Sequence, residues 1–338
     1  MESFVGKVVL EEAFRTGLRG AQVKSILPKC YDLLPFFSEG SAHAFLASDL
    51  RHPLSHAALT TFLRDTFHSL KTRLGLGRGD RVAILLPNGA ELSVTLLACI
   101  LHCTCVPLST SSSAHEIRAA LATTQVQAII AQKDVRIEDL RTISNELAIL
   151  LVEITPDERT VGLFTAPAQP AGAFATIEGG ESLAPKRPGL NGPEDVALIL
   201  STSGTTGHKK LVPLVVEDMV VGVVSIIAAW GMTTRDRGCH AMPLHHVGGI
   251  FRNVLVPVWS GGSMVCMPYF EAAGFCNAII TNECTWYYAV PLMHKHILQA
   301  AQDLRISRKQ EFTIRFIVNS AETLLPSTAE ALRAVFNK

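Results

Sequence analysis

The run Leu200-Ser201-Thr202-Ser203-Gly204-Thr205-Thr206-Gly207-His208-Lys209-Lys210 gathers hydroxyls, glycines and paired lysines directly behind an apolar segment. Polyphosphate binding draws on those three kinds of group. Glycine, lacking a Cβ, lets backbone N–H groups come close to phosphate oxygens; hydroxyls donate to the oxygens, and a cation offsets their charge. Gly204 and Gly207 would supply the first, Thr202, Ser203, Thr205 and Thr206 the second, and Lys210 the third. The spacing is not that of a Walker A loop, because two residues separate Gly204 from Gly207 and the lysines follow later. Such a composition also suits a plain surface turn. Its place after Val196-Ala197-Leu198-Ile199-Leu200, which reads as a buried strand, points to a ligand instead, since α/β proteins bind at the carboxyl ends of strands.

Other residues that could do chemistry lie further on. Gly248 and Gly249, at the start of an expected helix, would let its N-terminus approach a bound ligand. Asn319-Ser320-Ala321-Glu322-Thr323-Leu324 follows an expected strand and reads equally well as a strand-to-helix turn. Trp286, Tyr287, Tyr288 and Val290 suit the wall of an apolar or aromatic pocket, or simply a buried strand. His102-Cys103-Thr104-Cys105 is a C-x-C pair with no second half, so it reads as buried thiols and not as a metal site. The eight cysteines are scattered in apolar contexts and form no disulfide framework.

The elements that must position these residues alternate. Expected helices at 57–75, 90–101 and 114–122 alternate with strands at 82–86, around Val106 and at 128–131. A stretch rich in Ala, Gly, Pro and Thr runs from about 156 to 193 and reads as a linker. After the loop the alternation resumes, with helices near 217–230, 248–259, 270–281, 291–301 and 327–336 and strands near 239–242, 263–267, 286–290 and 313–318. Such alternation predicts mostly parallel sheets covered on both faces. With 338 residues the chain can hold two domains. Its 30 Lys+Arg balance 30 Asp+Glu, and no basic stripe is interleaved with aromatics, which argues against nucleic acid as a partner. No apolar run reaches the roughly 18 residues of a spanning helix and no secretory signal is evident, so a cytoplasmic protein is expected.

The segment from Thr202 to Gly207 resembles the Thr-Ser-Gly-Ser/Thr-Thr-Gly-x-Pro-Lys-Gly loop of the adenylate-forming (AMP-dependent synthetase/ligase) superfamily, which includes acyl-CoA synthetases, luciferases and peptide-synthetase adenylation domains. Lys209 stands where that loop has proline and Leu211 where it has glycine. Gly79-Asp80-Arg81-Val82-Ala83-Ile84-Leu85-Leu86-Pro87-Asn88 is similar to a second segment of the acyl-CoA synthetases. Met242-Pro243-Leu244-His245-His246-Val247-Gly248-Gly249 resembles their Pro-Leu-Phe-His-x-x-Gly segment, and Ala289-Val290-Pro291 the turn beside their acyl pocket. The resemblance covers the chain from about residue 45 to its end. It implies two stacked, mostly parallel α/β subdomains belonging to the large N-terminal domain of these enzymes. The expected bounds are an N-terminal segment 1–45, a first α/β subdomain 46–155, the linker 156–193 and a second subdomain 194–338.

The activity that the resemblance implies is ATP-dependent activation of a carboxylic acid to an acyl-adenylate. The acyl group would pass to coenzyme A or to the phosphopantetheine thiol of a carrier protein. Thr202 to Lys210 would hold the ATP phosphates, with Lys210 as the catalytic lysine. His246 would contact the substrate carboxylate, His245 would replace the usual aromatic of the pocket floor, and Gly248, Gly249 and Val290 would lie against the acyl part. Ser320, Ala321 and Glu322 would border the adenine. The histidines also suit a structural role at a strand end or, with His240, a metal cluster, although no cysteine or carboxylate stands at ligand spacing nearby. No residue of this chain is assigned to a metal. The Mg2+-binding glutamate of the superfamily, its ribose-binding aspartate and its mobile C-terminal domain all belong to segments beyond position 338. The chain alone is therefore expected to be impaired, as a part of a longer or completed enzyme, as an amino-acid adenylation fragment, or as a non-catalytic nucleotide- or acyl-binding protein.

Overall fold

The computed structural model describes residues 42–47, 49–166, 189–202, 210–308 and 311–336. Thirteen strands among these residues form two sheets. The strands are β1 (His43–Ala47), β2 (Leu54–Ser55), β3 (Arg81–Leu85), β4 (Thr104–Pro107), β5 (Ala128–Gln132), β6 (Leu150–Pro156) and β7 (Phe164–Thr165), followed by β8 (Val196–Ser201), β9 (Leu211–Val215), β10 (Arg237–His240), β11 (Ser263–Cys266), β12 (Trp286–Ala289) and β13 (Phe316–Asn319). The first sheet has the order β7-β6-β5-β3-β4-β8-β9 and the second β13-β12-β10-β11-β1-β2. Both are parallel in their interiors, and antiparallel pairs occur only where β7, β9 and β2 close an edge.

The helices are α1 (56–73), α2 (Ala90–His102), α3 (Ala114–Thr124), α4 (Ile137–Leu147), α5 (Val216–Trp230), α6 (247–260), α7 (Ala272–Thr281), α8 (Pro291–Arg308) and α9 (Pro326–Phe336). Two of them contain π-helical turns, at Phe62–Thr66 in α1 and Ile250–Leu255 in α6.

The strands are apolar on both faces, as parallel strands covered by helices must be. Alternation along each strand sorts its residues into separate cores. Val82 and Ile84 of β3 join a large central core with α1, α2, α5 and α6, while Ala83 and Leu85 face α3 and α4. In β12 the same period turns Trp286 and Tyr288 toward the central core and Tyr287 and Ala289 toward α7, α8 and α9. The result is five layers, with two sheets around a shared middle layer of helices. In α2 every residue except Glu91 is buried, which is why that helix is apolar all round and not amphipathic. None of the described helices is long and apolar enough to cross a membrane.

Sheet membership cuts across the subdomain bounds expected at residues 45/46 and 193/194. β8 and β9, beyond the Pro-rich stretch, complete the first sheet, whereas β1 and β2 join the second through the parallel pairing of β1 with β11. Long-range register decides both placements. Cys105 lies opposite Leu198, and Phe45 opposite Met264. The segment leading into β8 is held by Asn191, whose Nδ2 donates to the carbonyls of Ile100 and Cys103 at 2.8 and 2.7 Å, and by the Arg78–Asp195 ion pair. Residues 167–188 of the expected linker lie outside the described residues.

Candidate active site

β8 does not lead through its loop straight into a helix. It turns back antiparallel into β9, with Ser201 opposite Leu211 and the Thr202 N–H donating to the Lys210 carbonyl at 2.9 Å. Leu211-Val212-Pro213-Leu214-Val215 can be a strand despite its proline because β9 is the edge of the sheet, where a missing N–H leaves no ladder bond unmade. The expected phosphate cradle therefore joins two antiparallel neighbours in the first sheet. Thr202 and Lys210, both exposed, are its described ends, while Ser203, Gly204, Thr205, Thr206 and Gly207 lie outside the described residues.

In the second sheet the chain leaves β10 through Met242 and Pro243 and enters α6 at His246, the residue before the first helical turn. Two backbone bonds fold this turn: the His246 N–H donates to Pro243 O at 3.4 Å and the Ile250 N–H to His246 O at 3.0 Å. Gly249 makes the fold possible, since a Cβ there would sit 2.3 Å from the Pro243 carbonyl oxygen. The His245 and His246 rings lie 4.2 Å apart, with His246 exposed and His245 partly covered. Burial, aided by the neighbouring His246, pulls the His245 pKa down to about 4. His245 is consequently neutral at pH 7 and serves as a hydrogen-bonding group, not as a cation.

β12 and β13 bring the other side of the site. A Cβ on Gly248 would lie 2.5 Å from the Tyr288 hydroxyl and 3.3 Å from Nη1 of Arg252, so the start of α6, the end of β12 and the first turns of α6 meet there. The Tyr288 hydroxyl is hydrogen-bonded to Ser320 Oγ, and the Arg252 guanidinium lies over the Tyr288 ring at 5.1 Å. Ser320 is held by its N–H to Ala289 O, and the next turn by Asn319 Nδ2 to Glu322 O at 2.8 Å. Ala321 adopts φ +70°, a left-handed conformation that costs an L-residue roughly 1–2 kcal/mol. Val290 is half-buried at the end of β12, and its carbonyl starts α8 by accepting from the His294 N–H.

The structure thus brings His245, His246, Gly248, Gly249 and Ser320 into one cluster, with Ala321, Glu322 and Val290 on the adjoining turns. No described contact joins Thr202 or Lys210 to it. Sequence reasoning passed over two residues. Asn88, which follows β3 of the first sheet, accepts from the Leu244 N–H at 3.1 Å and donates to Met267 O at 3.2 Å, tying that sheet to the turn that carries the histidines. Arg252 is the second, and its signal was the single charge in the stretch Ile250 to Ser260. The described residues bring together no group of three or more His, Cys, Asp or Glu that could hold a metal. His240 is fully buried, so a cluster with His245 and His246 is not formed. Cys103 and Cys105 are buried thiols whose pKa burial raises, to about 12 for Cys103.

The profile of the AMP-binding enzyme family matches residues 40–338. The chain belongs to that family. Among curated AMP-binding relatives, Probable CoA ligase CCL9 of Humulus lupulus is 31% identical over 303 residues, covering 87% of this chain and 54% of that protein. The Oxalate–CoA ligase of Arabidopsis thaliana is 28% identical over 84% of this chain and 53% of its own length. The chain spans about half the length of the curated relatives it matches. The crystal structure of ATP-bound MatB from Rhodopseudomonas palustris superposes with a TM-score of 0.72 at 20% identity, over 91% of this chain and 58% of that one. That likeness shows the shared fold, with its two mostly parallel sheets.

Proposed function

We propose that this chain supplies the nucleotide and acid sites of an enzyme that activates a carboxylic acid with ATP and passes the acyl group to coenzyme A. The observation that carries the reading is the turn at His245–Gly249, folded against Tyr288 and Ser320 at the carboxyl ends of β10, β12 and β13 in a chain of the AMP-binding enzyme family. The relatives named as CoA ligases support the acceptor. A carboxylate oxygen would attack the α-phosphorus of ATP. The bond from the α-phosphorus to the bridging oxygen breaks, pyrophosphate leaves, and an acyl-adenylate remains. A thiolate then attacks the acyl carbon and AMP departs.

No protein nucleophile is needed, so the residues act by placement and charge. The segment from Thr202 to Lys210 would bind the β- and γ-phosphates with hydroxyls and backbone N–H groups, and Lys210 would offset their charge. His246, exposed beside the glycine pair, would orient the carboxylate. His245, neutral, would supply a hydrogen bond at the pocket floor. Ser320 to Glu322 would border the adenine. No residue of this chain is assigned to Mg2+, and no step is routed through that ion.

The test is acid-dependent exchange of labelled pyrophosphate into ATP, run on the protein as its own cells produce it with a panel of carboxylic acids. Exchange that requires both acid and enzyme is expected. Nucleotide binding without exchange for every acid contradicts the reading and leaves a binding protein. If a carrier-bound thiol accepts the acyl group and coenzyme A does not, the acceptor assignment alone is wrong.

A further inference from the structure

Arg252 is an unusual residue for its place. It lies in the π-helical turn of α6, between the buried Ile250 and Val254. Its Nε is shut off from solvent without a hydrogen-bond partner, and among the described residues no carboxylate forms an ion pair with it. The next residue, Asn253, is fully buried, and neither polar atom of its side chain is bonded. Shielded cations are normally paired, and a π-helical turn inside an α-helix is frequently found at a functional site. The guanidinium is not remote from the proposed chemistry. It shares the space in front of Gly248 with the Tyr288 hydroxyl, two residues from His246. Tyr288 in turn reaches Ser320, so a cation and two hydroxyls meet beside the turn that carries the imidazoles.

We propose that Arg252 binds a second anionic group of the substrate, and that the acid activated here is a short dianionic acid. This rests on the acid-activation reading above and names its substrate class. One carboxylate would be oriented by His246 for attack on the α-phosphorus. The second anionic group, a few bonds away, would accept from the guanidinium and from the Tyr288 hydroxyl. Tyr288, joined to Ser320 and lying against Gly248, would close the site behind that second group and set the length limit. A neutral tail would leave the guanidinium desolvated and unpaired, and that penalty is the source of selectivity.

The experiment compares succinate with butyrate, and malonate with propionate, in pyrophosphate exchange catalysed by the native-length protein, by Arg252→Leu and by Arg252→Lys. The wild type is expected to favour the dianionic member of each pair in kcat/KM by about 10- to 100-fold. Arg252→Leu should abolish or reverse that ratio, and Arg252→Lys should keep its direction. A merely structural arginine would lower both acids of a pair together and leave the ratio intact, which overturns the proposal. Wild-type preference for butyrate and propionate overturns it as well, even if no variant folds, while leaving acid activation standing. Exchange with none of the four acids, alongside exchange with another acid of the wider panel, overturns the assignment of Arg252 and leaves acid activation standing.

Discussion

Lys210 and His246 divide the proposed work, and each makes a separable prediction. Lys210, exposed at the end of the segment that starts at Thr202, acts on phosphate charge, so Lys210→Ala should weaken ATP binding by about 10- to 100-fold, the range expected for one charge-assisted hydrogen bond. Titration calorimetry or nucleotide fluorescence would check it; unchanged affinity would remove the phosphate role of that segment. His246→Ala should leave ATP affinity within about twofold while raising the KM for the acid or lowering kcat. Unaltered acid kinetics would remove its role. At this scale the sequence was informative about types and less so about partners. The Gly248–Gly249 pair was legible as a close approach, yet one of the groups that approaches, the Tyr288 hydroxyl, comes from a strand distant in sequence, and the other, the Pro243 carbonyl, from the fold of the turn itself. Arg252 was passed over because an arginine in an apolar helix reads as one solvated exception until its neighbours are known.

Asn88 acts between elements. It stands at the end of β3 and bonds the backbone on both sides of the second sheet's loops, at Leu244 and Met267. Removing it leaves one N–H and one carbonyl without their partner, so Asn88→Ala should cost about 1–3 kcal/mol of stability in denaturant unfolding. Asn88→Asp, which keeps only the acceptor for Leu244, should fall between. A variant as stable as the wild type would show that the two sheets are held together without this link. Most interior elements were legible as apolar runs of strand or helix length, as in β3, α2, β5 and α5. The elements that were missed, β1, β2, β7 and β9 with α4 and β6, have physical reasons. Short strands such as His43–Ala47 carry too few residues to show a period. β9 contains a proline, which a strand accommodates only at an edge, and its edge position follows from the sheet order and not from its own residues. Register across more than 200 residues, as between Phe45 and Met264, leaves no local trace.

The whole molecule carries several buried histidines, and their burial governs its response to acid. His102, His240 and His294 are almost fully buried, and desolvation lowers the pKa of each to about 4 from an ordinary 6.5. A depressed folded-state value means that the unfolded chain binds the proton more readily. Stability is therefore complete above pH 6.5 and is lost as pH falls toward 4, with a slope of up to about 1.4 kcal/mol per pH unit for each histidine. Thermal unfolding followed from pH 8 to pH 4.5 should show a flat region above 6.5 and a steepening fall below it. A melting temperature independent of pH over that range would contradict the burial of these rings.

The central claim is that a carboxylate oxygen bonds to the α-phosphorus of ATP at this site, and an isotope reports on that bond directly. The native-length protein is given a carboxylic acid labelled with oxygen-18 in its carboxyl group, together with ATP and coenzyme A, and the AMP is analysed by mass spectrometry. Attack on the α-phosphorus followed by thiol attack on the acyl carbon predicts one labelled oxygen in the phosphate of AMP. Label in inorganic phosphate, with none in AMP, would mean that the acid attacks the γ-phosphorus, and would contradict the account.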